Sequence, residues 1–165
     1  MRVPTWLYIL ICAGLIVGNV NVYRAIFAEP VLTVTVLSVG PADKAGHAVL
    51  LRSPSGKTVL VDTGPDASIL RALGSTLPLW QRRLDAVILT STKKAFTGGL
   101  PDVQSRYRVA RTFSTGTSFS LGAVSIAILA PATLAISYGS SVFNISSSTP
   151  AGVYVSDGTS IVPKI

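Results

Sequence analysis

No charged side chain occurs between Val3 and Tyr23 of this 165-residue chain. That stretch constrains the fold more than any other feature. Its centre, Trp6-Leu-Tyr-Ile-Leu-Ile-Cys-Ala-Gly-Leu-Ile-Val17, is almost wholly apolar. As a helix, a run of this length reaches about 31 Å, close to the thickness of a bilayer hydrocarbon core. Arg2 and Arg24 bracket it, and Trp6, Tyr8 and Tyr23 lie near its ends, where amphipathic rings favour an interface. A cleaved signal peptide is the rival reading. The small-x-small cleavage pattern is missing, because Ile26 precedes Ala28 and Tyr23 precedes Ala25 by two positions. The expectation is a single-pass anchor in residues 1–28, with Cys12 as an apolar filler, followed by one domain in 29–165. Arg2 and the α-amino group favour an N-terminus inside, which leaves the domain extracytoplasmic, although Arg24 pulls the other way.

Composition removes several function classes. One histidine excludes a multi-histidine metal site, and one cysteine excludes an intramolecular disulfide and every Cys-cluster zinc module. The mean hydropathy of +0.55 is high for a soluble domain and is carried in part by the N-terminal run. The net charge of +7 suits anionic partners such as nucleic acid, acidic wall polymer or lipid headgroups. It equally suits an ordinary solvated surface.

After Glu29-Pro30 the hydrophobic period changes. Residues 31–38 are β-branched and apolar on both faces, as in a buried strand, and Gly40-Pro41 ends them. Residues 47–52 and 58–61 read as two more strands, joined in a hairpin by Pro54-Ser-Gly-Lys57. Residues 67–74 fit a short helix with Ile69, Leu70 and Leu73 on one face and Gly74 at its end. Residues 84–89 read as a strand, 99–106 as a helix with Pro101 in its first turn, and 124–129 as a strand. Between Ser137 and Thr149, Val142, Phe143 and Ile145 come in near alternation, which predicts strand in a serine-rich stretch. Residues 152–162 read as a closing hairpin around Asp157-Gly158.

Three segments occur in a fixed order: Val36-Leu-Ser-Val-Gly-Pro-Ala-Asp43, Val59-Leu-Val-Asp-Thr-Gly-Pro65, and the run from Leu84 through Leu89-Thr90 to Gly98-Gly99-Leu100. Together they resemble the metallo-β-lactamase superfamily. Within it they are most similar to the soluble hydrolase-like domain of ComEC-type competence proteins, which act in DNA uptake. The likeness runs from about Val31 to Val109. It implies an α/β fold, a strand-rich αββα sandwich with loops at one sheet edge, here truncated and preceded by one transmembrane helix. In that family the loops hold two zinc or manganese ions, through an H-x-H-x-D-H signature after the Leu-Thr strand end. Aligned on Leu89-Thr90 and Gly98-Gly99-Leu100, the ligand positions fall on Ser91, Lys93, Ala95 and Phe96. Alanine and phenylalanine have no donor atom, and lysine is normally cationic. A later bridging aspartate would fall near Ser148. Asp62, which in the family supports the metal loop through hydrogen bonds, equally reads as a turn cap with Gly64. The family's middle section before the closing hairpin is almost absent, so the domain reads as shortened and its metal site as vestigial, with no cofactor expected.

Other chemistries are weaker. His47 reads as a strand-edge histidine, and a makeshift site from His47, Asp43 and Asp62 draws on three separate turns. Ser91-Thr-Lys-Lys94 matches S-x-x-K, but the accompanying K-T-G and S-D-N are missing. Ser55-Gly-Lys-Thr58 lacks the first glycine of a phosphate loop, because position 51 is leucine. Lys93, Lys94, Arg106, Arg108 and Arg111 would make an anion-binding patch if they shared a face. The functional expectation is therefore a membrane-anchored, non-catalytic binding or structural domain. A metallo-hydrolase or nuclease-like enzyme of the ComEC group and a basic module for DNA or another anionic polymer are the alternatives.

Overall fold

The computed structural model describes residues 5–26, 31–41, 46–114, 118–130, 133–146 and 149–164. The apolar N-terminal run forms a helix, α1 (Thr5–Ile26). At the helical rise its 22 residues span about 33 Å. Most of its described large apolar side chains stand exposed, Trp6, Ile9, Leu15 and Ile16 among them. Among the described residues no helix is long and apolar enough to cross a membrane. The helix expected at the N-terminus is therefore present, but its passage through a bilayer is not supported.

The domain is built on a seven-stranded sheet. In chain order its members are β1 (Leu32–Val39), β2 (Gly46–Arg52), β3 (Thr58–Val61), β5 (Ala86–Ile88), β7 (Thr112–Phe113), β12 (Gly152–Ser156) and β13 (Ile161–Lys164). Across the sheet they run β13-β12-β1-β2-β3-β5-β7. β3, β5 and β7 are parallel to one another and every other pairing is antiparallel. A second sheet holds β8 (Phe119–Leu121), β9 (Val124–Ala130), β10 (Thr133–Tyr138) and β11 (Ser141–Ile145) in the order β11-β10-β9-β8. β4 (Arg83–Leu84) and β6 (Arg108–Val109) form a separate parallel pair.

Strand alternation separates two cores. Leu32, Val34, Val36, Leu51, Val59 and Ile88 turn one way and meet Val124, Ile126, Leu134 and Ile136 of the second sheet. Leu37, Val39, Leu50, Leu60 and Val87 turn the other way, onto α2 (Ser68–Thr76) and α4 (Leu100–Arg106). Each fully buried aliphatic side chain contributes roughly 1.5–3 kcal/mol by leaving water, so both faces of the first sheet matter to stability. The inter-sheet core contains no helical residue. Among the described residues the layers are thus helix, sheet, sheet, and the fourth layer of the expected αββα sandwich is not formed. The outer face of the second sheet is left uncovered among the described residues, with Ser125, Asn144 and the larger Leu129 and Val142 exposed on it and Ser137 half-buried.

Two elements depart from expectation. α2 passes through Gly74 and ends at Thr76, closed by the Leu77 N–H donating to the Leu73 carbonyl at 2.7 Å. The strand expected over 84–89 is interrupted at Asp85. The Asp85 N–H donates to the Thr58 carbonyl (2.8 Å), and its carboxylate accepts from the Thr58 N–H (2.9 Å). That exchange separates β4 from β5.

Candidate functional site

β3 carries the chain to Asp62, where the backbone turns left-handed (φ 56°), a conformation non-glycine residues seldom adopt. The Asp62 N–H donates to the Ile88 carbonyl at the end of the parallel neighbour β5 (2.8 Å). Its carboxylate then reaches Thr90, two residues past that carbonyl. Oδ1 accepts the Thr90 N–H at 2.8 Å and Oδ2 accepts the Thr90 hydroxyl at 2.7 Å. The bonds therefore run to the start of the loop holding Ser91–Phe96, rather than back into Asp62's own turn. Asp62 is 7% exposed. Burial pushes its carboxyl up from 3.8 to about 6, against the two Thr90 hydrogen bonds, which pull it down.

The next residues lock that loop in place. The Thr63 N–H and hydroxyl both donate to the Phe96 carbonyl, at 2.8 and 3.0 Å. Behind it, α3 (Lys94–Thr97) leads into Gly98 and Gly99. The Gly99 N–H donates to the Gly64 carbonyl at 3.1 Å. A Cβ at Gly99 would sit 2.5 Å from the Thr63 carbonyl oxygen, and one at Gly98 would fall on the Pro65 carbonyl. The glycine pair thus serves close backbone approach, with both residues in ordinary right-handed conformation.

A cavity of about 160 Å³ opens where these loops meet the two sheets. Asp62, Thr90, Ala95, Phe96 and His47 line one part of it, while Val49, Val61, Leu134, Ile145 and Ser146 supply the rest. Of the residues singled out from sequence, Asp62, Ala95, Phe96 and His47 come together here. Ser91 and Lys93 belong to the same loop but do not line the cavity. The Ser91 hydroxyl instead accepts the Lys93 N–H at 3.3 Å, and Lys93 is exposed. Ser148 and Asp43 lie outside the described residues. His47 is half-buried, and its Nδ1 is buried with no hydrogen-bond partner among the described residues. Among the described residues no group of three or more His, Cys, Asp or Glu side chains could hold a metal ion. Sequence reasoning missed Thr90, Leu134 and Ser146. Thr90 had a signal, since it is the hydroxyl residue of the Leu-Thr strand end used to align the loop.

The remaining motifs take simple places. Ser55-Gly-Lys-Thr58 is the β2–β3 turn, closed by the Gly56 N–H donating to the Ser53 carbonyl at 2.9 Å, with Gly56 at φ 77°. Lys94 is exposed at the start of α3. Arg106, Arg108 and Arg111 are exposed, and β4–β6 pairing puts Arg108 in register with Arg83. Arg106 lines a shallow groove together with Arg82.

No family model matches the sequence, and no curated protein is similar to it. Solved structures it is similar to include metallo-β-lactamase fold proteins. The metallo-β-lactamase fold protein YhfI from Bacillus subtilis is 17% identical, covers 81% of this chain and 61% of its own, and superposes with a TM-score of 0.47. A Cronobacter sakazakii metallo-β-lactamase with an HARLDQ motif is 18% identical, with 70% and 61% covered and a TM-score of 0.49. A diphosphatase of the PhnP family is 17% identical, with 67% and 64% covered and a TM-score of 0.45. The chain therefore spans less than two thirds of the length of each.

Proposed function

We propose that residues 29–165 are a degenerate metallo-β-lactamase-like domain, related to the ComEC-type group, that binds or scaffolds and does not hydrolyse. In this reading α1 holds it at a membrane with the domain on the extracytoplasmic side. The observation that carries the proposal is the wall of the cavity. The loop that would supply metal ligands is held in place by Asp62 and Thr90, yet it presents Ala95 and Phe96 to the cavity. A catalytic zinc usually takes three protein ligands from imidazole, thiolate or carboxylate, and a two-metal site takes more. Here the cavity offers one carboxylate, already accepting two hydrogen bonds from Thr90, and one imidazole. The residues present do not fit a two-metal centre.

The apolar lining by Val49, Val61, Phe96, Leu134 and Ile145 suits a small, largely apolar ligand. One observation favours a second reading. His47 and Asp62, from separate strands, line the same cavity, as an unconventional acid–base pair would require. Assay of the full chain against phosphodiester and phosphomonoester substrates, with and without zinc or manganese, separates the two. The binding reading predicts no turnover. Turnover abolished by both His47→Ala and Asp62→Ala would overturn it in favour of the second.

A further inference from the structure

The turn between α2 and β4 is firmly held yet presents two large apolar side chains to water. Leu77 is buried at its entrance. The Gln81 N–H closes it onto the Pro78 carbonyl at 2.9 Å. The Gln81 side chain is gripped from two strands: its Oε1 accepts Arg52 Nη2 and its Nε2 donates to Thr58 Oγ1, both at 2.8 Å. Arg82 Nε donates back to the Leu79 carbonyl at 3.3 Å. At the tip of this braced turn Leu79 is 83% and Trp80 85% exposed. Tips of tight turns ordinarily carry Gly, Asn, Asp, Ser or Pro, which satisfy backbone geometry and water together. A rigid turn that shows Leu and Trp instead is shaped for a partner that takes them out of water.

The surroundings say which partner. Arg82 and Arg106 line a groove with Pro78 and Leu79, and Arg83 and Arg108 sit in register beside it. Of these four guanidinium groups only Arg83 has a carboxylate partner among the described residues, Asp85 at 3.8 Å. An exposed Trp and Leu beside four arginines, three of them without a carboxylate partner among the described residues, complements a surface that is apolar beneath and anionic above. We infer that the Leu79–Trp80 turn seats in the headgroup layer of an anionic lipid bilayer, with Trp80 at the interface and the arginines on lipid phosphates. The aliphatic Leu79 at the tip favours lipid over nucleic acid, whose bases stack on aromatic rings and have no use for it. This contact is additional to any role of α1 and does not depend on it.

The chain has two tryptophans, so Trp6→Phe leaves Trp80 as the sole reporter. The full-length variant is mixed with phosphatidylcholine vesicles, or with vesicles in which about a third of the lipid is phosphatidylglycerol. The expected result is a blue-shifted Trp80 emission, quenched by acyl-chain bromine roughly fivefold more in the anionic vesicles. Arg82→Glu with Arg106→Glu should reduce the quenching to the zwitterionic level, with the circular dichroism spectrum unchanged. Absence of quenching in both vesicle types would overturn the inference. So would equal quenching in both, or emission that responds to a single-stranded oligonucleotide and not to lipid. Flotation of a variant that combines Leu79→Ser and Trp80→Ser with Arg82→Glu and Arg106→Glu reads α1 without this turn, so failure of the anchor and failure of the turn give different results.

Discussion

Asp62 combines two unfavourable conditions, a left-handed backbone and a buried carboxylate, and both are met at one point of the fold. The Thr90 hydrogen bonds offset part of the desolvation without cancelling it. Because the folded carboxyl titrates near 6 and its ordinary value is 3.8, the native state holds this proton more tightly than the unfolded chain. Its contribution is therefore fully present below about pH 4 and is lost as pH rises through 6; the shift corresponds to about 3 kcal/mol. Asp62→Asn keeps an acceptor for the Thr90 N–H, and asparagine tolerates left-handed backbone. Chemical unfolding of both proteins between pH 4 and pH 8 should show the variant gaining on the parent by up to about 3 kcal/mol as pH rises. Parallel profiles would contradict the buried charge. Asp62 itself is legible in the sequence as the polar end of a strand. Thr90 is not legible as its partner, because the pairing depends on β3 and β5 lying side by side in parallel, a fact of topology that neither segment carries alone.

Among the elements, two kinds of glycine make opposite predictions. Gly74 lies inside α2 with nothing within 4 Å of the point where a Cβ would stand, so Gly74→Ala should raise stability by about 1 kcal/mol through helix propensity. Gly99 has the Thr63 carbonyl at 2.5 Å and Ile69 Cγ2 at 2.7 Å from such an added atom, so Gly99→Ala should lower stability by about 2 kcal/mol or more. Thermal unfolding of the two variants beside the parent checks both signs. Elements with clean periodicity and strong stops are legible in the sequence: β1 with its Gly40-Pro41 end, the β2–β3 hairpin and the Asp157-Gly158 turn. Gly74 reads as a helix end because glycine so often is one. The helix continues because Leu77, buried and in extended conformation, makes the closing bond instead. The interruption at Asp85 is hidden because an aspartate between apolar residues looks like an outward-facing strand position. β10 escapes because Thr133-Leu-Ala-Ile-Ser-Tyr138 mixes small, polar and apolar residues, and its pairing on both sides supplies what its composition lacks.

At the scale of the whole molecule, the helix–sheet–sheet arrangement of the described residues follows from first-sheet strands that are apolar on both faces, one face meeting the helices and the other the inner face of the second sheet. That much is readable as a strand-rich α/β pattern. The meeting of His47 with Asp62, Ala95 and Phe96 is not, since those residues are spread over three segments and only strand order brings them to one cavity. The same wall explains why the proposed activity is binding. Its loop is braced by Asp62, Thr63 and the glycine pair, while Ala95 and Phe96 on the cavity wall lack side-chain atoms that would bind a cation. The Leu79–Trp80 turn adds a second surface, on the side of the arginines, and gives the domain a means of lying against lipid. The central claim is that this cavity holds no metal centre. Full-length protein produced with excess zinc and manganese, passed through a desalting column and analysed for metal, should carry less than about 0.1 equivalent of either ion per chain, and Asp62→Ala should leave that value unchanged. Two equivalents of zinc or manganese retained per chain, and lost in Asp62→Ala, would contradict it.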